Sequence, residues 1–327
     1  MCYSRLSLFR GAQRAHDWRR WMSVRPAIVG SGNLQGMAST TRKKVTLETL
    51  NSLKNNKAHI TMITAYDFPS ATACSSNPLV DIVLVGDSLA QVCLGYPSTT
   101  QLTLSEMIHH CRAVARGTTH PLLVADMPFG TYMTSGPDTI QNAVRLIQEG
   151  RVEGIKMEGG LEIVETVRKL TDFGIPVMGH VGLKPQRHVA SSGFRIQGKN
   201  TNSAKQVIKE AEALQDAGAF SIILEGIPKE LGRCITERLK IPTIGIGAGP
   251  ATDGQVLVWD DIMGTWSGHK AKFVRHFGDV KSERDAAIQK YVEAVRNGSF
   301  PAESESYTSG GVDWSSLSVS ESSDPHP

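Results

Sequence analysis

Ile82-Val83-Leu84-Val85-Gly86-Asp87-Ser88 is a run of four apolar residues that stops at a glycine, an acid and a hydroxyl. The same order returns along the chain. Leu122-Leu123-Val124 runs into Ala125-Asp126, and Ile155-Lys156-Met157 ends at Glu158-Gly159-Gly160. Ile222-Ile223-Leu224 ends at Glu225, and Val177-Met178-Gly179 meets His180. Short, near-continuous apolar runs read as strands buried on both faces of a parallel sheet. Carboxylates at their far ends gather negative charge on one rim, and such a pocket normally needs a cation to be stable. The pattern therefore predicts chemistry at a strand rim, with a metal ion in it.

Working outward, eight strand-like runs lie near residues 59–66, 81–86, 122–126, 154–158, 176–180, 221–225, 242–246 and 255–259. Amphipathic helices separate several of them. Ser135 and Pro137 precede Ile140, Ala143, Val144 and Ile147, spaced as one helical face up to Gly150. Ile163, Val164, Val167 and Leu170 repeat the pattern up to Gly174. Ser203 opens another helix, with Val207, Ala211 and Leu214 on one face and Gly218 at its end. Eight such units predict a closed (β/α)₈ barrel rather than an open doubly wound sheet. The open sheet needs GxGxxG after its first strand, where Thr64-Ala65-Tyr66-Asp67 stands instead. In barrels the chemistry sits at the C-terminal strand ends, where these acids fall.

The chain has 327 residues. Residues 45–301 match the size of such a barrel, about 250 residues. The net charge of +3 misleads, because nine of the 35 Lys and Arg but one of the 32 acids lie in residues 1–44. The remainder carries 26 basic against 31 acidic residues, which excludes a basic nucleic-acid face. In that first segment Leu6, Leu8, Phe9, Trp18, Trp21 and Met22 interleave with Arg5, Arg10, Arg14, Arg19 and Arg20. It reads as a mitochondrial transit peptide leading to the matrix, the plain alternative being a disordered basic tail. The apolar runs fall short of the roughly 18 residues of a membrane span. Cys2, Cys74, Cys93, Cys111 and Cys234 form no CxxC pair and suggest reduced thiols. Residues 302–327 hold nine serines and predict a disordered tail.

Asp87, Asp126 and Glu158 close three consecutive strands, and hard oxygen ligands in that arrangement suit Mg²⁺. No His or Cys group has zinc spacing, and His109-His110 stand in a helix without paired ligands. Any one acid alone is more readily a helix N-cap, but three on consecutive strands reverse that preference in favour of the metal. Lys156 shares a strand face with Glu158 and can balance the carboxylates while holding a substrate carboxylate. A Schiff-base lysine or a snorkelling structural one are the alternatives. Glu225, distant in sequence from the metal set, is the candidate general base, against a role as partner of a structural Arg or Lys. His180 can hydrogen-bond an anionic substrate or be structural. Ser88 can donate to a substrate carboxylate or cap the next helix. Gly245-Ile246-Gly247-Ala248-Gly249 fits a phosphate cradle, a pterin neighbour or a tight turn.

With these residues in place, the chain resembles the ketopantoate hydroxymethyltransferase family. The resemblance is carried by Thr64-Ala65-Tyr66-Asp67, Leu84-Val85-Gly86-Asp87-Ser88-Leu89, Ala125-Asp126-Met127-Pro128-Phe129 and Lys156-Met157-Glu158-Gly159-Gly160. It continues through Met178-Gly179-His180-Val181-Gly182-Leu183, Gly193-Phe194-Arg195-Ile196-Gln197-Gly198, Leu224-Glu225 and the 245–249 glycines, in order from about residue 45 to 301. It implies a barrel of the phosphoenolpyruvate/pyruvate type that binds Mg²⁺. It also implies hydroxymethyl transfer from 5,10-methylenetetrahydrofolate to 3-methyl-2-oxobutanoate, giving 2-dehydropantoate, the first committed step toward pantothenate. By resemblance Asp87 and Asp126 hold the metal, Glu158 supports it directly or through water, Ser88 and Lys156 contact the 2-oxo acid, and Glu225 takes the substrate proton. A homodecamer is implied too. The chain departs from the family pattern at Ala90-Gln91, Lys184 and Ser304-Glu305, none of them a residue assigned to the chemistry. The rival readings are another Mg²⁺-dependent C–C lyase on 2-oxo acids and a non-catalytic metabolite-binding barrel.

Overall fold

The computed structural model describes residues 42–133, 136–190, 193–266, 270–311 and 313. Cys2, Ser135, nearly all of the expected transit segment and most of the serine-rich tail lie outside the described residues. Within the tail, residues 303–305 form a short 3₁₀ turn with every residue exposed.

The chain runs α1 (Leu47–Asn55), β1 (Ile60–Thr64), α2 (Phe68–Ser76), β2 (Ile82–Val85), α3 (Leu89–Val92), α4 (Leu104–Gly117), β3 (Leu122–Asp126) and α5 (Gly136–Gln148). It continues with β4 (Gly154–Glu158), α6 (Val164–Asp172), β5 (Val177–Gly182), α7 (Thr201–Asp216), β6 (Ser221–Glu225) and α8 (Lys229–Arg238). It ends with β7 (Thr243–Ile246), β8 (Gly254–Leu257), α9 (Trp259–Met263) and α10 (Val280–Arg296). The eight strands pair in sequence order and β8 closes on β1, all parallel. Each expected strand run falls on one of them.

Two local expectations change. Ser203 does not open α7: Asn200 caps it, its Oδ1 accepting from the Ser203 backbone while Ser203 Oγ accepts from the Asn200 backbone. Ser203 is thus the other half of a reciprocal cap, three residues inside. And β7 returns to β8 through residues 247–253 without a helix. A parallel return usually takes a dozen or more residues. Here both strands are four residues long, and Gly247 and Gly249 reverse the chain at φ 65° and 81°. A Cβ on Gly249 would stand 2.4 Å from Lys229, so the glycine-rich segment is a tight turn packed on α8.

Two apolar layers result. Between barrel and helices lie residues such as Val83, Val85, Leu123, Ile155, Val177, Ile222 and Leu224, packed on Met107, Leu146, Leu170 and Leu214. Inside the barrel lie Ile60, Met62, Ile82, Leu84, Leu122, Val124, Met178, Ile223, Ile244 and Val256. Val45 and Leu50 join this inner cluster, so α1 plugs the N-terminal mouth. Lys54 of α1 pins the plug to Asp253 at 2.7 Å. The other mouth is left open to polar side chains.

Candidate active site

Strand alternation sets the site. On β3, β4, β5 and β6 the positions that continue the inner apolar set are Asp126, Lys156 with Glu158, His180, and Glu225. Register then fixes neighbours. Asp126 pairs laterally with Lys156, Glu158 with His180, and Gly182 with Glu225. Asp87 follows the end of β2, and its backbone N–H donates to Asp126 Oδ2 at 2.9 Å. All seven residues singled out in the sequence therefore stand at one barrel mouth, at its C-terminal strand ends.

The N-cap alternative fails for the three acids. Asp67 does cap α2, but α3 begins after Ser88 and the short turn beyond Glu158 after Gly160. Ser88 makes no side-chain cap either. Its hydroxyl meets Tyr66 Oη at 2.8 Å, Tyr66 Oη accepts from Thr64 Oγ1 at 2.8 Å, and Thr64 Oγ1 accepts from the Trp259 backbone N–H at 2.8 Å. With Thr64 donating to it, Tyr66 keeps its own proton available for Ser88, and in that arrangement the Ser88 proton serves a ligand.

Lys156 is buried, and its Nζ stands 2.6 Å from Asp126 Oδ1. Burial works against its charge, yet Asp126, Glu158 and Asp87 outweigh it and hold its pKa above the usual lysine range. The side chain neither snorkels nor offers a neutral amine, which a Schiff base requires. Among the described residues, Glu225 forms no ion pair with a lysine or arginine. His180 Nε2 lies 3.4 Å from its Oε2. Burial, with Asp87 and Asp126 adding to it and Lys156 opposing, pushes Glu225 up to about 8. Burial and Asp126 push Asp87 up to about 6, and burial and Asp87 raise Glu158 well above the ordinary glutamate value.

For His180, the geometry favours the structural alternative. Its Nε2 donates to the Leu183 carbonyl at 2.7 Å, while Nδ1 is buried without a partner. Burial and the nearby Lys156 hold its pKa well below the usual histidine value. A neutral ring with its one N–H engaged presents a bare acceptor at Nδ1, so it does not donate to an anion.

Four carboxylates thus face one ammonium, and Glu158 Oε1 is buried without a hydrogen-bond partner. That excess of all-oxygen donors fits a divalent hard cation. Among the described residues, no three His, Cys, Asp or Glu side chains are arranged to hold a metal by themselves. The arrangement suits Mg²⁺ nonetheless, since that ion commonly takes one or two carboxylates and completes its shell with water and substrate oxygens.

The sequence model of ketopantoate hydroxymethyltransferase matches residues 44–303. The 3-methyl-2-oxobutanoate hydroxymethyltransferase of Moorella thermoacetica is 47% identical over 266 residues, covering 81% of this chain and 98% of that protein. The chain belongs to the ketopantoate hydroxymethyltransferase family. The enzyme of that name from Emericella nidulans is 46% identical over 268 residues, covering 81% of this chain and 76% of its own. Among solved structures, phosphonopyruvate hydrolase with oxalate and Mg²⁺ superposes with TM-score 0.52 at 13% identity, covering 80% of this chain and 93% of that one. A 2,3-dimethylmalate lyase of the PEP mutase/isocitrate lyase superfamily gives 0.50 at 16%, covering 80% and 91%. At such identities these two establish the barrel architecture for this ketopantoate hydroxymethyltransferase family member and nothing finer.

Sequence reasoning missed Tyr66, Tyr132 and Gln186. Tyr66 had a signal, since it stands in a polar cluster just past β1. Gln186 had none, because an amide behind a loop proline is ordinary until the fold buries it.

Proposed function

We propose that this chain transfers a hydroxymethyl group from 5,10-methylenetetrahydrofolate to 3-methyl-2-oxobutanoate, giving 2-dehydropantoate and tetrahydrofolate with one water consumed. The observation that carries the reading is Glu225. It is a carboxylate at the mouth, 15% exposed at its side chain, without a Lys or Arg ion-pair partner among the described residues and raised to about 8, as suits a general base. Its role is to take the C3 proton of the 2-oxo acid while the electron pair moves toward the carbonyl. C3 then bonds to the one-carbon unit of the folate as one of its two C–N bonds breaks. Water supplies the hydroxyl oxygen as the second C–N bond breaks, both electron pairs staying on nitrogen, where the C3 proton and one proton of the water end.

Ser88 donates to the substrate carboxylate, and Lys156 supplies positive charge beside it. Asp87 and Asp126 would hold Mg²⁺, with Glu158 supporting it directly or through water. When bound, Mg²⁺ supplies Lewis-acid stabilisation of charge developing on the carbonyl oxygen.

The test follows the C3 proton of 3-methyl-2-oxobutanoate by NMR in D₂O with Mg²⁺ and without folate. Exchange in the wild type that falls by about 10² to 10⁴ in Glu225→Gln supports the assignment. Exchange equal in both removes Glu225 from the chemistry.

We further propose a homodecamer. Along α10, Ile288, Tyr291, Val292 and Val295 form one apolar stripe, and no residue of that helix is buried in the single chain. Sedimentation at micromolar concentration measures the assembly, and a monomer would refute it. Residues 1–44 are proposed as a transit peptide to the mitochondrial matrix, ahead of a catalytic domain at 45–301 and a serine-rich tail at 302–327. A fluorescent protein fused behind residues 1–44 reports the address directly.

A further inference from the structure

Gln186 is buried at 3% exposure in the 3₁₀ turn Pro185–Arg187 beyond β5, and every polar group it carries into the site is engaged. Its Nε2 donates to Asp87 Oδ2 at 2.9 Å and to the Met127 carbonyl at 3.0 Å. Its Oε1 accepts from Tyr132 Oη at 2.6 Å, and its backbone N–H donates to Glu158 Oε2 at 3.0 Å. One residue thereby holds an oxygen of two carboxylates that arrive from different strands, β2 and β4.

The orientation of the carboxamide is unique. Turned over, its oxygen would face the Asp87 carboxylate and the Met127 carbonyl, both acceptors, and its NH₂ would face Tyr132. Tyr132, itself buried, also donates to the Glu158 carbonyl at 3.1 Å, so it braces the amide and the end of β4 together. The residue type matters as well. A lysine or arginine here would neutralise the pocket and compete with a cation, and a glutamate would add a fifth carboxylate. A neutral amide fixes the carboxylates while leaving their negative charge unanswered.

We propose that Gln186 is a positioning residue that sets Asp87 and Glu158 for divalent-cation binding, with Tyr132 fixing the amide. The inference rests on the reading above that these carboxylates serve the metal. It also explains why Glu158 Oε1 remains without a hydrogen-bond partner. Gln186 takes Oε2 alone, leaving Oε1 for another ligand.

The test titrates Mn²⁺ into metal-free full-length protein and counts free ion by electron paramagnetic resonance, so no turnover is needed. Wild type should bind one Mn²⁺ per chain. Gln186→Leu should bind about 10- to 100-fold more weakly, the loss typical when a hydrogen-bond partner of a metal ligand is removed. Affinity in folded Gln186→Leu within twofold of wild type would overturn the proposal. If Gln186→Leu does not fold, Tyr132→Phe decides, because it keeps the amide and removes only its brace. At least threefold weaker Mn²⁺ binding with a changed Mn²⁺ line shape supports positioning, and unchanged affinity refutes it. Wild type that binds no Mn²⁺ sinks the metal reading itself, and is told apart from failure of Gln186 by that first arm.

Discussion

Lys156 Nζ and Asp126 Oδ1 stand 2.6 Å apart on adjacent strands whose register makes the two residues lateral partners. Both are buried, with side-chain exposures of 7% and 3%, so the pair is a fixed part of the barrel mouth. It is also the sole ammonium–carboxylate pair among Asp87, Asp126, Glu158, Glu225 and Lys156. Asp87, Glu158 and Glu225 make no such pair, which leaves the mouth with an excess of negative charge.

Removing that ammonium should therefore destabilise the protein. Lys156→Met leaves buried carboxylates without their counter-charge, a loss of about 3–5 kcal/mol for a buried pair broken on one side. Calorimetry in EDTA should show a lowered Tm, and added Mg²⁺ should recover part of it by replacing the missing charge. A Tm equal to wild type in EDTA would mean that the pair contributes nothing net.

The raised carboxyl groups make a pH prediction whose sign is set by linkage. Glu225, ordinarily 4.5, is raised to about 8, and Asp87, ordinarily 3.8, to about 6. A group raised in the folded state stabilises it while protonated, fully below the unfolded value, and that contribution is lost as pH rises through the folded value. Metal-free protein should thus lose stability from about pH 4 to about pH 8. Saturating Mg²⁺ should flatten the decline, since a bound cation favours the ionised carboxylates. Denaturant melts at fixed pH steps measure both, and metal-free stability that rises across the window would reverse the assignment.

Tyr66 tests the donor chain behind Ser88. Tyr66→Phe removes the hydroxyl that meets both Ser88 and Thr64. Ser88 is then free to turn away from the substrate. The expected cost is about 1–1.5 kcal/mol, seen as roughly a tenfold higher KM for the 2-oxo acid at nearly constant kcat. Mn²⁺ affinity should stay as in wild type, and an unaltered KM would show that Ser88 needs no such support.

Gly182 tests the geometry of Glu225. It sits at φ 92°, and a Cβ there would stand 2.3 Å from the Glu225 carbonyl oxygen. Gly182→Ala combines a strained backbone with displacement of the neighbouring strand end. It should reduce C3 proton exchange by at least tenfold, with Mn²⁺ binding less affected because Asp87 and Asp126 are two strands or more away. Exchange at the wild-type rate would show that Glu225 tolerates movement.

Strands β2 to β5 were legible because burial on both faces forces near-continuous apolar runs, whereas β1 and β8 expose Thr61 and Gln255 and read by alternation. The acids were legible because an ionisable group at the end of such a run has few structural reasons to be there. The missing helix between β7 and β8 was not legible, since glycines at 245–249 are compatible with several loops until Phe273 and Lys229 are seen packed against them.

The sequence by itself determined the barrel, the family and the chemical residue types Asp87, Asp126, Lys156, Glu158 and Glu225. The barrel and the residue types follow from periodicity and residue chemistry, and the family from the resemblance of ordered motifs, all local properties of the chain. Only the tertiary structure decided which groups are paired and which are free. His180 became an acceptor because Leu183 takes its proton, Ser88 was tied to Tyr66, and Gln186 joined the site by crossing from β5 to Asp87. Hydrogen-bond direction and charge balance depend on partners 3 to 99 positions apart, and closure of the barrel is what brings them within 3 Å.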